Sequence, residues 1–292
     1  MKAQELYKKL DRDFIKEGIS DYNWAARMPE LAGYLHDGFK QNGMGLMLDF
    51  AEAIERVYTT VFLSDKVLEY VLAEGLSNAM IFSHHPTNWD IEGHGGNYAA
   101  TEAYIRQLKE RNIAVYVLHH PLDNFGPYAT CRTLAEAIGL QIQKPGFLYG
   151  GALCGVFGTV ACNTIGDLRK QFARAVGHEV SLYAYGHSDD GHSDEKADIS
   201  GQTIAVVPGG GNEPFVLEEV IREGVTILLT GTTLLNDHSA ESHKMEQEKG
   251  ITLLGGTHYS TEKFAPMAMC GYFGDLGLPT EFVEDEPKMY DI

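Results

Sequence analysis

Three short segments of this 292-residue chain set histidine and carboxylate at spacings that suit metal coordination. His84 and His85 stand together in SHHP at 83–86, His119 and His120 lead into Asp123 in LHHPLD at 118–123, and His258 precedes Glu262 by four in THYSTE at 257–262. If the last segment opens a helix, i and i+4 share one face and can reach a common ion. The donors are imidazole and carboxylate without thiolate, which suits Zn²⁺, Mn²⁺, Fe²⁺, Co²⁺ or Ni²⁺ better than a structural zinc knot. Six candidate ligands, His84, His85, His119, Asp123, His258 and Glu262, exceed the roughly three protein donors of one catalytic zinc. Two divalent transition-metal ions are therefore expected, bridged by a carboxylate and a solvent oxygen at roughly 3.5–4 Å separation. Each segment also has an ordinary alternative. A histidine pair can cap or decorate a surface, an Asp two residues after Pro121 can serve a turn, and His258–Glu262 can be a helix-end ion pair.

Placement along the chain favours the metal reading. Short apolar runs alternate with helical patterns: GLMLDF, then IERVYTTVF at 54–62, the helix SDKVLEYVLAEG with Ser64 as its cap, the strand NAMIFS, the helix AATEAYIRQLKERN and the strand IAVYVL. NAMIFS and IAVYVL are almost wholly apolar, as strands covered on both faces of a parallel sheet are. His84 follows the first directly, His119 follows the second, and His258 follows ITLLGG. Ligands in open α/β sheets gather beyond the carboxyl ends of the strands, so recurrence at three strand ends points to one crevice. Residues 1–40 read as helical from Leu6, Leu10 and Phe14 at i, i+4, i+8. The stretch 149–160, YGGALCGVFGTV, reads as glycine-rich and irregular, and the boundary between two interlocked α/β lobes is placed near it, giving lobes 1–145 and 146–292. The second lobe repeats the rhythm through TIGDLRKQFARAVG, EVSLYAYG, QTIAVVP, PFVLEEVIREG, VTILLTG and DHSAESHKMEQEKG.

SHHP, LHHPLD and THYSTE, in that order and spacing, resemble the NIF-three-like family, also described as type 2 GTP cyclohydrolase I homologues. The resemblance covers about residues 45 to 275. It implies sheets flanked by helices in two lobes, a dinuclear centre at His84, His85, Asp123, His258 and Glu262 with His119 in or beside the ligand set, and a toroidal homohexamer with the metal sites facing inward. His120 stands where the family usually has threonine, and Thr232 where an acidic residue is common.

Composition narrows the function. The formal net charge of −18, with no Lys/Arg run, repels phosphate backbones and disfavours nucleic acid. Acidity suits cation binding, and equally keeps a surface soluble. The four cysteines form no C-x-x-C pair and read as reduced and mostly buried. The charged N-terminal segment is unlike a signal peptide and no apolar run approaches about 18 residues, so a cytoplasmic protein without membrane spans is expected. Other features invite weaker assignments. The Asp/His-dense 185–200 reads as a solvated excursion, with a second cation site or lid as the alternative. PGGGNEP at 208–214 reads as a tight turn before a helix, with anion binding as the alternative, which Glu213 would oppose. Trp89, Tyr98 and Phe125 read as packing aromatics that could instead stack on a planar ring. The leading expectation is a metal-dependent hydrolase or cyclohydrolase of a small, nucleotide-like substrate. Glu262 or Asp123 would bridge or orient the nucleophile, and His120, or else His94, His238 or His243, would serve as acid. The alternative is a metal-holding assembly or regulatory protein without catalysis.

Overall fold

The computed structural model describes residues 1–87, 100–186 and 195–292. Trp89, His94, Tyr98 and the 187–194 part of the Asp/His-dense segment lie outside the described residues. Eleven strands are described: β1 Gly45–Leu48, β2 Arg56–Phe62, β3 Ala79–His85, β4 Ile113–Val117, β5 Gln141–Tyr149, β6 Ala152–Thr159, β7 Ser181–Tyr183, β8 Ile204–Val207, β9 Ile227–Thr230, β10 Thr252–Gly255 and β11 Thr280–Phe282. The α-helices are α1 Ala3–Phe14, α2 Asp37–Asn42, α3 Asp65–Ala73, α4 Glu102–Glu110, α5 His120–Asp123, α6 Thr130–Ala137, α7 Ile165–Val176, α8 Pro214–Arg222, α9 Ala240–Lys249, α10 His258–Glu262 and α11 Phe264–Asp275.

Two compact units divide the chain, and they interleave in sequence rather than meeting near residue 145. The first comprises Met1–Leu122, Gly150–Ala152 and Ala265–Glu286, and the second comprises Asp123–Tyr149, Leu153–Phe264 and Pro287–Ile292. In the first, the sheet order is β1-β4-β3-β2-β11, with β1 antiparallel at one edge and the other pairs parallel. Side chains alternate across the sheet. Tyr58, Ile81 and Val115 join α3 and α4 residues such as Leu68 and Ile105 in one apolar cluster. Phe82 and Tyr116 face the other way, against Phe273 of α11 and Tyr7 of α1. Both faces are thus covered, which is why these strands carry no polar alternation.

In the second unit the order is β5-β6-β8-β9-β10-β7, with a parallel centre, β8-β9-β10, between antiparallel neighbours β6 and β7. Ile204 and Val206 pack with Leu134 of α6 and Leu168 and Phe172 of α7, while Ala205 and Val207 pack with Val216 and Leu217 of α8. The mixed α/β class follows from this patterning.

Two expectations need correction. Helix in the first forty residues is confined to α1 and the short α2, with 3₁₀ turns at Trp24–Arg27 and Pro29–Leu31 between them. The stretch 149–160 is not irregular, since it forms β6 after a two-residue turn at Gly150 and Gly151, both with positive φ (55° and 83°). Paired positive φ is what tight hairpin turns demand, and Gly supplies it without a steric penalty.

Candidate metal centre

In the first unit, β3 and β4 run parallel with Ser83 opposite Val117, so SHHP and LHHPLD emerge at the same end of adjacent strands. The result is a buried cluster of rings. His84 and His85 are 4.4 Å apart between centroids, His85 and His119 4.7 Å, and His84 and His119 5.3 Å. One donor atom from each of the three falls within 4.8 Å of the others. The His84 Nδ1–H donates to the Leu118 carbonyl (2.8 Å), which fixes the tautomer and assigns the lone pair to Nε2. His85 stacks on Phe62 at 4.7 Å, its register partner in β2.

His119 is held by a residue that sequence reasoning missed. Its Nδ1–H donates to Asp21 Oδ1 (2.9 Å), and the Asp21 side chain is wholly buried. Asp21 Oδ1 also accepts the Tyr22 amide (2.7 Å) and the Trp24 indole N–H (3.0 Å), and Oδ2 accepts the His120 amide (3.1 Å). Burial by itself would raise this carboxyl. The charge and hydrogen bond of His119, with His120 and the Tyr22 amide, outweigh burial and hold it down at about 2. A carboxylate bonded to the far nitrogen of an imidazole is how metal-binding histidines are commonly oriented. His120 sits 4.4 Å from His119 between centroids and donates its Nδ1–H to the Ser20 carbonyl (2.6 Å). Asp21, His119 and His120 also form a close trio of potential donors.

In the second unit, Val207 pairs with Thr230 and Thr230 with Gly255, so the segments leaving β8, β9 and β10 start side by side. Thr257 caps α10: its side chain accepts the Ser260 amide (3.1 Å) and the Ser260 hydroxyl accepts the Thr257 amide (3.0 Å). This fixes the helix that sets His258 and Glu262 one turn apart, with Nε2 and Oε1 separated by 3.2 Å and both residues buried. An Asp123 oxygen lies within 4.8 Å of a Glu262 oxygen, and Asp123 Oδ1 also accepts the Thr130 hydroxyl (2.7 Å).

PGGGNEP packs against this helix through Gly209. Gly209 N–H donates to the Thr261 hydroxyl (3.0 Å), and its carbonyl accepts the Gly231 and Thr232 amides (3.1 and 2.9 Å). A Cβ at Gly209 would stand 2.1 Å from Glu262 Oε1 and 3.0 Å from His258 Nε2, and φ there is 63°. Only glycine fits so close to the two donors.

Other sequence candidates are placed elsewhere. His243 is buried with its Nε2–H donating to the Thr233 carbonyl (3.0 Å) and its Nδ1 accepting from the Tyr185 hydroxyl (3.1 Å), and burial lowers its pKa. His238 is largely exposed beside Glu213 at 3.3 Å. Phe125 packs on the second unit's core with Leu134 and Phe172. Beyond 187–194, Glu195 pairs with Arg169 (2.8 Å) and Asp198 accepts the Ser200 amide (2.8 Å), so those acids are engaged with the chain itself. All four cysteines are free, Cys131 buried and the others half-buried, and burial pushes the Cys154 thiol up to about 12. Among the described residues no helix is long and apolar enough to cross a membrane.

One unit therefore carries His84, His85 and His119 as a buried trio of nitrogen donors that could hold a metal ion, and the other carries the His258–Glu262 pair with Asp123 near Glu262. Together with two helix-covered sheets, this defines a mixed α/β protein with metal-binding potential. The chain belongs to the Duf34/NIF3 (NGG1p interacting factor 3) family, whose model matches residues 36–286. It is 25% identical over 283 residues to a "GTP cyclohydrolase 1 type 2 homolog" of Pyrococcus horikoshii, covering 94% of this chain and 98% of that one. Among solved structures, its fold is similar to protein ybgI, of unknown function (TM-score 0.71, 18% identity, 99% and 100% covered). It is similar also to reduced HcgD from Methanocaldococcus jannaschii (TM-score 0.66, 20% identity, 98% of each chain).

Proposed function

We propose that this protein is a divalent-metal-dependent hydrolase of small molecules, with His84, His85, His119, Asp123, His258 and Glu262 sharing two transition-metal ions. The observation that carries this reading is the pair of buried, thiolate-free donor sets whose side chains are already fastened in place. The sets are complementary. Three imidazoles bring no charge to neutralise a dication, whereas Asp123 and Glu262 bring two carboxylates with one imidazole. Six donors shared by two ions would leave room for substrate and solvent. When bound, the ions supply Lewis acidity and bring the acidity of solvent toward neutrality.

The chain's own residues then orient and carry protons. Asp21 keeps His119 in one tautomer, and the Leu118 carbonyl does the same for His84. Glu262 and Asp123 would help to hold the ions and to orient solvent for attack. With Nδ1–H committed to Ser20, His120 exchanges protons at Nε2 and serves as the acid for the leaving group. The name of the Pyrococcus relative directs the substrate search to nucleotides and cyclic amides.

The working form we propose is a cytoplasmic homohexamer. Four free cysteines suit a reducing compartment. The nine-residue β5 forms a sheet edge that carries Leu148, 66% exposed, beside the stacked pair Tyr149 and Phe215. Such an apolar edge invites a partner copy. Light scattering should then give about six times the chain mass.

Turnover decides the catalytic part. Protein loaded with Zn²⁺ or Mn²⁺ is assayed against nucleotides, phosphoesters and cyclic amides. Hydrolysis that disappears on chelation and in Glu262→Gln is expected. Stoichiometric metal without turnover across the panel would favour a metal-holding assembly protein instead.

A further inference from the structure

The segment 287–292 lies beyond the family match, which ends at residue 286, yet it reaches a proposed metal donor. Asp291, in a 3₁₀ turn at Met289–Asp291, is buried. Its carboxylate Oδ2 accepts the backbone N–H of His258 (2.8 Å), while its carbonyl accepts the amides of Thr233 (2.8 Å) and Leu234 (2.9 Å). One residue therefore ties the first turn of α10 to the segment leaving β9. The Thr257–Ser260 pair satisfies two amides at this helix start, and Asp291 takes the one belonging to His258 itself.

We infer that Asp291 is a positioning residue for the metal donor His258, and that docking of 287–292 and metal binding at His258 and Glu262 reinforce one another. This rests on the metal-binding reading above. The His258 backbone cannot shift without breaking the bond to Asp291, and its ring is carried on that backbone. A geometry favoured by the docked segment is the geometry a metal would select, and coupling of two binding events is reciprocal by linkage.

The test is Zn²⁺ titration of the full chain by calorimetry, with the wild type, Asp291→Ala and Asp291→Asn. Alanine should weaken Zn²⁺ binding about 10-fold, the scale of lost supporting bonds at metal sites. Asparagine keeps an oxygen acceptor and should restore wild-type affinity. Equal losses in both variants would reveal a general packing defect and overturn the inference, as would an unchanged alanine variant. Hydrogen exchange of the wild type supplies a second measure that needs no substitution. Zn²⁺ should slow exchange at 233–234, His258 and 287–292 by about 10-fold, and unchanged exchange in protein that demonstrably binds Zn²⁺ would sink the coupling alone. Wild-type protein that takes up no Zn²⁺ would remove the metal reading and the coupling with it.

Discussion

Asp21 and His119 meet across 98 positions of sequence, and that bond decides which nitrogen of His119 faces outward. Asp21→Asn removes the charge while keeping the shape. It should weaken metal binding by about 10-fold and leave the fold intact, as read by metal titration beside circular dichroism. An undiminished affinity would mean that His119 is not oriented for an ion. The candidate donor residues stand out in sequence because histidine and carboxylate at strand ends are chemically conspicuous. Asp21 does not, since an Asp in a loop has no local mark, and its role exists only once the chain has brought it beside LHHPLD. Asp291 was hidden for the same reason, 33 positions from the amide it accepts.

At the scale of elements, α10 is the piece on which the second donor set depends. Its cap could be read from Thr257 and Ser260 at N-cap and N3, and its one-turn spacing of donors from His258 and Glu262. The role of Gly209 could not, because glycine in PGGGNEP signals a turn without saying what comes close to it. Gly209→Ala would place a methyl 2.1 Å from Glu262 Oε1 at a φ of 63°. The expected result is a loss of about 1–3 kcal/mol in denaturant unfolding together with weakened metal binding. Wild-type stability and affinity in this variant would show that the loop has room that the structure denies it. The same limit explains the misread 149–160. In sequence its glycines read as irregularity, whereas two serve a tight turn and others allow close packing, as at Gly155, where a Cβ would meet Phe147 at 2.4 Å.

For the whole molecule, the sequence rhythm gave the α/β class and the parallel core of each sheet, because covered strands must be apolar on both faces. It did not give the interleaving of the units, which depends on α11 and β11 returning to the first sheet after the second is built. Overall stability should also carry a pH signature from the second unit. Glu246 of α9 is fully buried with neither carboxyl oxygen hydrogen-bonded, and burial raises its pKa from 4.5 to about 8. His243, 3.3 Å away, is itself pushed toward its neutral form by burial. The native state thus holds a proton that the unfolded chain releases, so stability falls as pH rises from 4.5 to about 8 and levels off above. Glu246→Gln should flatten that slope and gain on the order of 1–3 kcal/mol at pH 8, with little change near pH 4.5. An unaltered pH profile would contradict this.

Metal content tests the proposed two-ion centre most directly. After washing with chelator and reloading with Zn²⁺, mass spectrometry of the metal and anomalous diffraction should show about two ions per chain, bounded by His84, His85, Asp123, His258 and Glu262 with His119 alongside. The His84→Ala, His258→Ala double variant should lose them. No metal above background in the wild type, or full retention in the double variant, would contradict the assignment.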